Sequence, residues 1–390
     1  MSDERERQLA WAYLSRVAEP PCAALATLVQ RHGPVVAAEM VRRGDVESPL
    51  AGLVEARREV DCAAADLELL ASRGGRLITP DDDEWPGWAV LGFGKRRGDK
   101  PPRAEDQPPL VLWAIGPDNL AGVTQRAAAI VGTRACTTYG EHVTADLVAG
   151  LVERDVTVVS GGAFGIDGAA HRTALACDGS TVAVLAGGID VFYPAGHSAL
   201  LHRIASNGLV VTEYPPGVRP ARYRFLTRNR LVAAFAGATV VVEAGLRSGA
   251  ANTAAWARLL GRTVCAVPGP VTSAASAGCH ELLRRDDKVE LVTRAAEIVE
   301  VVGRIGELAE EPVRPSTALD GLGGVQRQVY EALPGRGART ADEIAVGAGV
   351  PAGQVLGQLA LLEIDGLVER QDGGWRLVRA SGATASQQRE

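Results

Sequence analysis

The feature that most constrains this fold is a series of apolar runs that recurs about every 25–30 residues, close to the length of a βαβ unit. The runs are AAAIVG (127–132), VTVVSG (156–161), TVAVLAG (181–187), LVVTEY (209–214), ATVVVEA (238–244) and TVCAVPG (263–269). They are rich in β-branched residues without polar alternation, as is typical of parallel strands that are covered on both faces. Helical stretches lie between them. The pattern predicts an α/β domain with a doubly wound parallel sheet.

Shifts in composition divide the chain around this core, which we place at residues 76–302. Residues 1–75 are rich in Ala, Leu and Val and predict a small helical domain of the helix-hairpin type. Its helix-turn-helix-like piece around Gly33-Pro34 fits a packing role at least as well as DNA binding. The Pro-rich, charged segment 95–109 predicts a flexible loop, and the Pro/Gly-rich segment 303–320 predicts a linker.

The C-terminal part, residues 321–379, predicts a winged helix-turn-helix domain of three short helices and a hairpin. Thr340 and Glu343 have the spacing of a capping box for the second helix, and Pro351 suits the start of the third. The hairpin follows as two short strands around a Gly-Gly turn. The last residues, 380–390, predict a disordered tail.

Charge and composition limit the classes of function. The chain of 390 residues has a net charge of −6 and a pI near 5.7, which argues against indiscriminate nucleic-acid binding but permits a local basic patch. No run approaches the roughly 20 apolar residues of a membrane span, and no apolar signal segment follows the charged N-terminus. We therefore expect a cytoplasmic protein without membrane association. The six cysteines lack metal-ligand spacing and are interpreted as reduced thiols.

Small polar loops follow the predicted strands, at the sheet edge where open α/β folds bind ligands. Three of them present glycines, hydroxyls or arginines and are the candidate site: Gly132, Thr133 and Arg134; Ser160, Gly161, Gly162, Ala163, Phe164, Gly165 and Asp167; Arg247, Ser248 and Gly249. The second and third open helices, so their backbone N–H groups predict a phosphate-binding edge. We expect Asp167 to cap its helix, His171 to pack or cap, and Asp190 and Glu243 to orient a ligand or bind loop amides.

Motifs for catalysis are weak or missing. The G-x-G-x-x-G match is poor because Ser160 replaces the first glycine, and it follows the second strand. The sequence has no P-loop, no G-x-S-x-G, no H-E-x-x-H and no carboxylate cluster for a metal. The residues alone therefore offer few catalytic candidates, and we predict no cofactor and no metal.

The segment RPARYRFLTRNR (219–230) contains five arginines, a tyrosine and a phenylalanine but no acid. A solvated helix face with Arg–Glu pairs is the ordinary interpretation of such a run. Three observations favour nucleic acid or polyphosphate instead. The segment contains no acid to pair with the arginines, it directly follows a strand end, and Tyr223 and Phe225 alternate with the arginines, as stacking on single strands requires. Arg228, Asn229 and Arg230 are the main candidates, and Arg219, Arg222 and Arg224 are expected only to raise the local potential.

With GTRACTTYG, SGGAFGIDGAAH, TVAVLAGGIDVFYP, VVTEYPPG, FLTRNR, VVVEAGLRSGAANTA and AVPGP in this order, the chain resembles the DprA/Smf family of DNA-processing proteins. The resemblance covers roughly residues 110–295 in detail. It implies an extended Rossmann-like core that binds single-stranded DNA, protects it from nucleases and helps to load RecA recombinase. It also implies a homodimer and no enzymatic turnover.

The resemblance also assigns residues. It implies phosphate contacts by Arg134, Arg228, Arg230 and Arg247, with Arg247-Ser248-Gly249 in place of the family's Lys-Ser-Gly. Phe164 occupies a position where relatives can have a basic residue, so one phosphate contact is lost and stacking of the ring on a base is expected in its place. His197 replaces an expected Asn, and the segment Gly278 to Leu283 departs from the family pattern G-x-N-x-L-I, which leaves the role of the last loop open.

Two alternatives belong to other classes of function. A nucleotide-processing enzyme of the phosphoribohydrolase type would carry P-G-G-x-G-T-x-x-E, whereas this chain has EAGLRSGAANTA and lacks the distal glutamate. A duplex-DNA regulator would need a basic stripe on the winged helix. From Gly321 onwards the sequence contains seven arginines and eight acidic residues, so it has no excess of basic residues. We therefore expect that domain to contact protein or the partner subunit instead.

Overall fold

The computed structural model describes residues 2–94, 104–285, 287–303, 306–307, 321–371 and 373–378. The chain forms two compact units, residues 1–310 and 311–390. Most of the predicted flexible loop, most of the predicted linker and the whole predicted tail lie outside the described residues, at 95–103, 304–305, 308–320 and 380–390.

The larger unit begins with helices, as the composition of residues 1–75 predicts. The helices are α1 (Ser2–Val17), α2 (Ala23–His32), α3 (Pro34–Arg43), α4 (Leu50–Val54) and α5 (Ala63–Ser72). Gly33 alone separates α2 from α3; its φ of 74° suits glycine, and Pro34 occupies the first turn of α3, where no amide donor is needed. Trp11, Leu14 and Val41 are buried in one apolar cluster with Trp113 and Val210 of the sheet. The helices therefore share a core with the α/β region.

A nine-stranded sheet dominates the described part of this unit. Its strands are β1 (Gly75–Ile78), β2 (Leu112–Ile115), β3 (Ala127–Val131), β4 (Thr157–Ser160), β5 (Thr181–Val184), β6 (Leu209–Thr212), β7 (Ala238–Val241), β8 (Thr263–Ala266) and β9 (Val289–Leu291). They lie in the order β1-β2-β6-β5-β4-β3-β7-β8-β9. The strands from β6 to β9 in that order pair in parallel, whereas β1 and β2 are antiparallel to their neighbours.

Helices cover both faces of the sheet. They are α6 (Gly87–Val90), α7 (Leu120–Gln125), α8 (Thr138–Val152), α9 (Ile166–Ala176), α10 (Ser198–Asn207), α11 (Arg222–Ala234), α12 (Gly249–Leu259), α13 (Ala277–Arg285) and α14 (Ala295–Val302). In β3, Ala129 and Val131 pack in one apolar cluster, while Ala128 and Ile130 pack in another. All six predicted strands are present, and the predicted doubly wound α/β fold is confirmed.

The smaller unit has the predicted winged-helix arrangement. Its elements are α15 (Gly324–Glu331), α16 (Ala341–Ala348), α17 (Ala352–Ile364), β10 (Val368–Gln371) and β11 (Gly374–Leu377). Thr340 and Glu343 form the predicted capping box, and Pro351 is the N-cap of α17. Ile344, Leu359 and Trp375 are buried in its own apolar core.

No single helix in the described ranges is long and apolar enough to cross a membrane; only α16 and α17 together, bent by 104° at their junction, reach that length and composition.

Candidate functional site

An open cleft of about 1220 Å³ lies at the carboxyl ends of the parallel strands. Strand β3 is the point where the order reverses, because the chain runs from β3 through β4, β5 and β6 and then returns to β7 on the other side of β3. The loops that follow β3, β4 and β7 all line the cleft. Ligands of open α/β sheets bind at such a switch point.

Most of the candidate site residues come together there. The lining includes Gly132, Thr133, Arg134, Gly161, Ala163, Asp167, Arg228, Asn229, Arg247, Ser248 and Gly249. Ser248 is the N-cap of α12, and its hydroxyl accepts a hydrogen bond from the amide of Ala251. The sequence therefore located three of the loops that form the cleft, although they are far apart along the chain.

The first two loops are held against each other by backbone contacts. The amide of Ile166 donates to the carbonyl of Thr133 at 3.2 Å, and the amide of Thr133 donates to the carbonyl of Glu243 at 2.8 Å. Gly165 has a φ of 74°, and a Cβ at this position would collide with the backbone of Thr133 and Arg134. Glycine is needed here because of both the conformation and the close approach.

The expected helix cap at Asp167 is wrong. The N-cap of α9 is Gly165, which makes no side-chain cap, and Asp167 lies inside the first turn. Its Oδ2 accepts from the amides of Gly161, at 3.2 Å, and Ala163, at 3.4 Å. Burial raises the pKa of this carboxyl, and the nearby Arg228 opposes that shift. Asp167 therefore shapes the loop after β4 from within the helix that the loop opens.

Arg228 forms part of the cleft floor and is only 5% exposed. Its Nη1 donates to the carbonyl of Gly161 at 2.7 Å and to that of Val184. Burial lowers its pKa to about 10, and Asp167 partly opposes that shift. Its Nε is buried without a described hydrogen-bond partner. Beside it Asn229 binds the carbonyl of Gly249 and Oδ1 of Asn252, which joins α11 to α12.

The assignment of Arg230 as a phosphate contact is wrong. Its side chain is fully buried and does not line the cleft. Its Nη2 donates to both carboxylate oxygens of Glu213, at 2.6 Å each, and Glu213 is itself 3% exposed. The acid that pairs with this arginine lies just after β6, outside the basic segment, so the segment alone did not show it.

Ser160 is a second correction, because its side chain faces the interior. It is fully buried, and its hydroxyl donates to the carbonyl of Ile130 on β3 at 2.7 Å. Gly162, Phe164 and Gly165 also lie outside the cleft lining. The ring of Phe164 is 45% exposed and packs edge-on against His197 at 4.6 Å, so its surface lies beside the cleft rather than in it.

His197, at the position where a departure from the family pattern was noted, supports the loop after β4. It is buried, and its Nδ1 lies 3.1 Å from the carbonyl of Gly162, to which it donates. His171 is fully buried as well. Thr181 Oγ1 donates to the carbonyl of Val158 and so accepts from His171 Nδ1, which places a proton on Nδ1. Burial lowers the pKa of His171 to about 3, so the ring is neutral at pH 7. Its expected packing role is consistent with this contact.

The carboxylates in the loops after β5 and β7 bind loop amides, as expected. Asp190 Oδ1 accepts from the amide of Gly217 at 2.7 Å. Glu243 accepts from the amide of Thr137, at 2.9 Å, and from its hydroxyl, at 2.6 Å. These bonds fix the loops around the cleft.

The segment Gly278 to Leu283, whose role the sequence left open, lies in α13 behind the cleft. The amide of Gly278 donates to the carbonyl of Ala244, and His280 Nε2 donates to the carbonyl of Gly269 at 3.0 Å. A Cβ at Gly278 would collide with the backbone of Ala244 and Gly245. The segment therefore supports the loops after β7 and β8.

The sequence identified one wall of the cleft only in part. Arg219 and Arg222 line it together with Tyr193, Phe225 and Leu226. The rings of Tyr193 and Phe225 are 5.6 Å apart, and the guanidinium carbon of Arg134 lies 5.3 Å from the ring centre of Phe225. The alternation of arginines and aromatics was the available signal, but Tyr193 lies about 30 residues upstream of it.

The cleft is electropositive. Arg134, Arg219, Arg222 and Arg247 line it with exposed side chains, and none forms an ion pair with an acid in the described ranges. Asp167 is the one acid among the described lining residues, and it is buried. Four exposed guanidinium groups beside loop amides and aromatic rings suit a ligand with several phosphates and flat apolar groups. Within the described residues no group of three His, Cys, Asp or Glu side chains is placed to hold a metal.

Fold and site together define a Rossmann-like α/β protein with an arginine-lined cleft and a winged-helix unit. Comparison with known proteins places the chain more narrowly. The model of the DNA recombination-mediator protein A family matches residues 76–303, and that of the DprA winged helix domain matches residues 313–374. The chain belongs to the DNA recombination-mediator protein A (DprA/Smf) family, as its motifs predict.

Several relatives are similar over long stretches. A Mycobacterium tuberculosis protein named as a DNA processing protein DprA is 68% identical over 377 residues, which cover 97% of this chain and 96% of that protein. The X-ray structure of DNA processing protein A from Streptococcus pneumoniae is 27% identical, with a TM-score of 0.60, over 76% of this chain and 98% of that one. The structure of a Helicobacter pylori DNA processing protein A, described for its single-stranded DNA binding mode, is 26% identical, with a TM-score of 0.49. The match covers 58% of this chain and 94% of that one.

Proposed function

We propose that this protein binds single-stranded DNA in the arginine-lined cleft, without catalytic turnover. The observation that carries the proposal is the set of four exposed arginines, Arg134, Arg219, Arg222 and Arg247, which line one cleft with no exposed acid among its described lining residues. The charge suits a phosphate backbone. Tyr193 and Phe225 suit bases whose faces are free to stack, as they are in a single strand.

The carboxylates near the cleft argue against a nucleotide-processing enzyme. Asp167 accepts two backbone amides and is buried, and Glu243 is occupied by Thr137. A general base must reach the proton that it removes, and Asp167 and Glu243 are only 7% and 1% exposed. Release of free base from a nucleoside monophosphate by the purified protein would contradict this part of the proposal.

We further propose that the bound strand is protected from nucleases and passed to RecA recombinase, that the protein acts as a homodimer, and that it works in the cytoplasm. Membership of a recombination-mediator family supports the role in recombination. Loading of RecA onto DNA coated with single-strand-binding protein, with and without this protein, tests the transfer. Sedimentation of the full chain tests the dimer.

The binding proposal is tested by fluorescence anisotropy with labelled single- and double-stranded oligonucleotides across a salt series. In the Arg134→Ala/Arg247→Ala variant we expect at least tenfold weaker binding to every sequence, because the loss of even one hydrogen bond to a charged group, about 1.5 kcal/mol, weakens binding about tenfold. The log–log salt slope should become shallower by about 1.4, since each single-strand phosphate contact contributes about 0.7.

Arg203 supplies the matched control, because it is an exposed arginine on α10 outside the cleft lining. The Arg203→Ala variant should keep the wild-type affinity and salt slope. Equal affinities and slopes in the cleft variant and the control would refute the site.

A further inference from the structure

The segment between β6 and the first turn of α11, residues 216–224, forms one wall of the cleft and adds cations to those of the loops after β3 and β7. Arg219 and Arg222 are exposed and line the cleft, and no acid in the described ranges pairs with either side chain. The segment between β6 and α11 has little regular structure of its own, since α11 begins at Arg222. Besides the bond from Gly217 to Asp190, contacts with the N-terminal helices hold this segment in place.

The N-terminal helices hold one end of this wall. Arg16, on α1, donates from Nη2 to the carbonyl of Pro216 at 2.7 Å. The same guanidinium group is paired with Asp66 of α5 through two bonds of 2.7 Å. The start of the wall is therefore fixed by a bidentate ion pair between two helices of residues 1–75.

Glu19, just after α1, holds the other end. It accepts from Arg224 Nε at 2.6 Å and Nη2 at 2.9 Å, from Arg57 Nη2 at 2.8 Å and from the hydroxyl of Tyr223 at 3.1 Å. Arg224 in turn donates from Nη1 to the carbonyl of Arg219 at 2.5 Å. A continuous chain of hydrogen bonds thus runs from Glu19 to the backbone of a cleft arginine.

The ionic form of this cluster is stable at neutral pH. Burial by itself would raise the pKa of Glu19, but the hydrogen bonds from Arg224 and Arg57 outweigh it and hold that pKa below its usual range. The hydrogen bond to Glu19 raises the pKa of Arg224. Because Glu19 satisfies two arginines, their charges do not compete with Arg219 and Arg222 for a phosphate.

We propose that Arg219 and Arg222 form a second row of phosphate contacts for the same strand, and that Glu19 is a positioning residue that holds this row in place. The inference rests on the proposed function and adds to it. It gives residues 1–75 a part in DNA binding through the support of one cleft wall rather than through contact with DNA. Arg224, which the sequence assigned only to local potential, links Glu19 to Arg219.

The test compares three variants of the full chain by anisotropy with a labelled single strand across a salt series. Arg219→Ala/Arg222→Ala should weaken binding about tenfold or more and reduce the salt slope by about 1.4. Glu19→Ala should weaken binding to a similar extent. Combining all three substitutions should add little to the double variant, because Glu19 acts through the two arginines.

The Arg224→Lys variant changes the geometry of the contact with Glu19 but keeps the charge. It also provides a second test of this contact if the Glu19→Ala variant does not fold. Lysine keeps the net charge but lacks the second arm that reaches the carbonyl of Arg219. We expect several-fold weaker binding at an unchanged thermal midpoint. Glu39→Ala is the matched control, because Glu39 pairs with Arg43 at 3.6 Å on the exposed surface of α3, and this variant should bind as the wild type does.

The outcomes distinguish this inference from the proposed function. If Arg134→Ala/Arg247→Ala weakens binding and Arg219→Ala/Arg222→Ala does not, the second row is refuted and the cleft remains the site. If Glu19→Ala folds and its effect adds fully to that of the two arginine substitutions, Glu19 is not their positioning residue. If neither arginine pair matters, the proposed function itself fails.

Discussion

The buried pair of Arg230 and Glu213 allows a direct test of whether an arginine in the basic segment serves the fold or the ligand. Removing one partner of a buried ion pair leaves an uncompensated charge and costs about 3–5 kcal/mol. Arg230→Met should therefore lower the free energy of unfolding by about that amount, because both partners are at most 3% exposed and two bonds of 2.6 Å are lost.

Replacing both partners should restore most of that loss. Nε and Nη1 of Arg230 are buried without a described hydrogen-bond partner, so the desolvation of this guanidinium group is only partly compensated. A pair with apolar replacements of similar size is often as stable as a buried ion pair, or more so. Glu213→Leu/Arg230→Met should come within about 1 kcal/mol of the wild type.

The assay is urea denaturation of the full chain followed by tryptophan fluorescence, together with anisotropy on a labelled single strand. With a denaturant slope of about 3 kcal/mol/M, the single variant should unfold at about 1–1.7 M less urea. The double variant should recover both the midpoint and the DNA affinity. If stability recovers but affinity falls about tenfold with a shallower salt slope, Arg230 contacts phosphate and our correction is wrong.

Three further predictions concern other contacts. Burial, with smaller contributions from His197 and two arginines, lowers the pKa of His171 to about 3. As the pH falls, this histidine is therefore protonated in the unfolded chain before it is protonated in the folded chain. The free energy of unfolding should therefore fall by up to about 4–5 kcal/mol from this group as the pH drops from about 6.5 to about 3. Urea denaturation of His171→Asn should lack this contribution to the pH dependence, and equal pH profiles of the variant and the wild type would contradict the prediction. Gly161→Ala places a methyl group against the guanidinium of Arg228, so anisotropy should show weaker DNA binding, and wild-type affinity would oppose the role of the cleft floor. Thr340→Ala removes the cap that pairs with Glu343 and should cost the winged unit about 1 kcal/mol in urea denaturation, while DNA affinity should stay unchanged.

The strands of the core were predictable because each is buried on both faces. The runs that form β3 to β8 need no polar alternation, so six short apolar segments are enough to indicate them. Three strands were missed. Strands β1 and β2 lie at one edge of the sheet, pair antiparallel and lack the regular spacing of the βαβ units. Strand β9, at the other edge, has only three residues, of which only Val289 is buried. The loops after β3, β4 and β7 were predictable because parallel strands bring their carboxyl ends to the same edge.

The arginines were predicted less well, because ion pairing depends on residues far apart in the sequence. No acid lies within the basic segment, yet Arg230 pairs with Glu213, and Arg224 pairs with Glu19 about 200 residues away. Only the fold shows which arginines are used internally. It reverses the expected roles, since Arg230 is buried and Arg219 lines the cleft.

The salt dependence of wild-type binding to single- and double-stranded oligonucleotides tests the central claim most directly. Two to four arginine–phosphate contacts in the cleft predict a log–log slope of about −1.4 to −2.8 for single strands. Stacking on Tyr193 and Phe225 predicts tighter binding to a single strand than to a duplex of the same length. A slope near zero, or equal affinity for both forms, would contradict single-strand binding in this cleft.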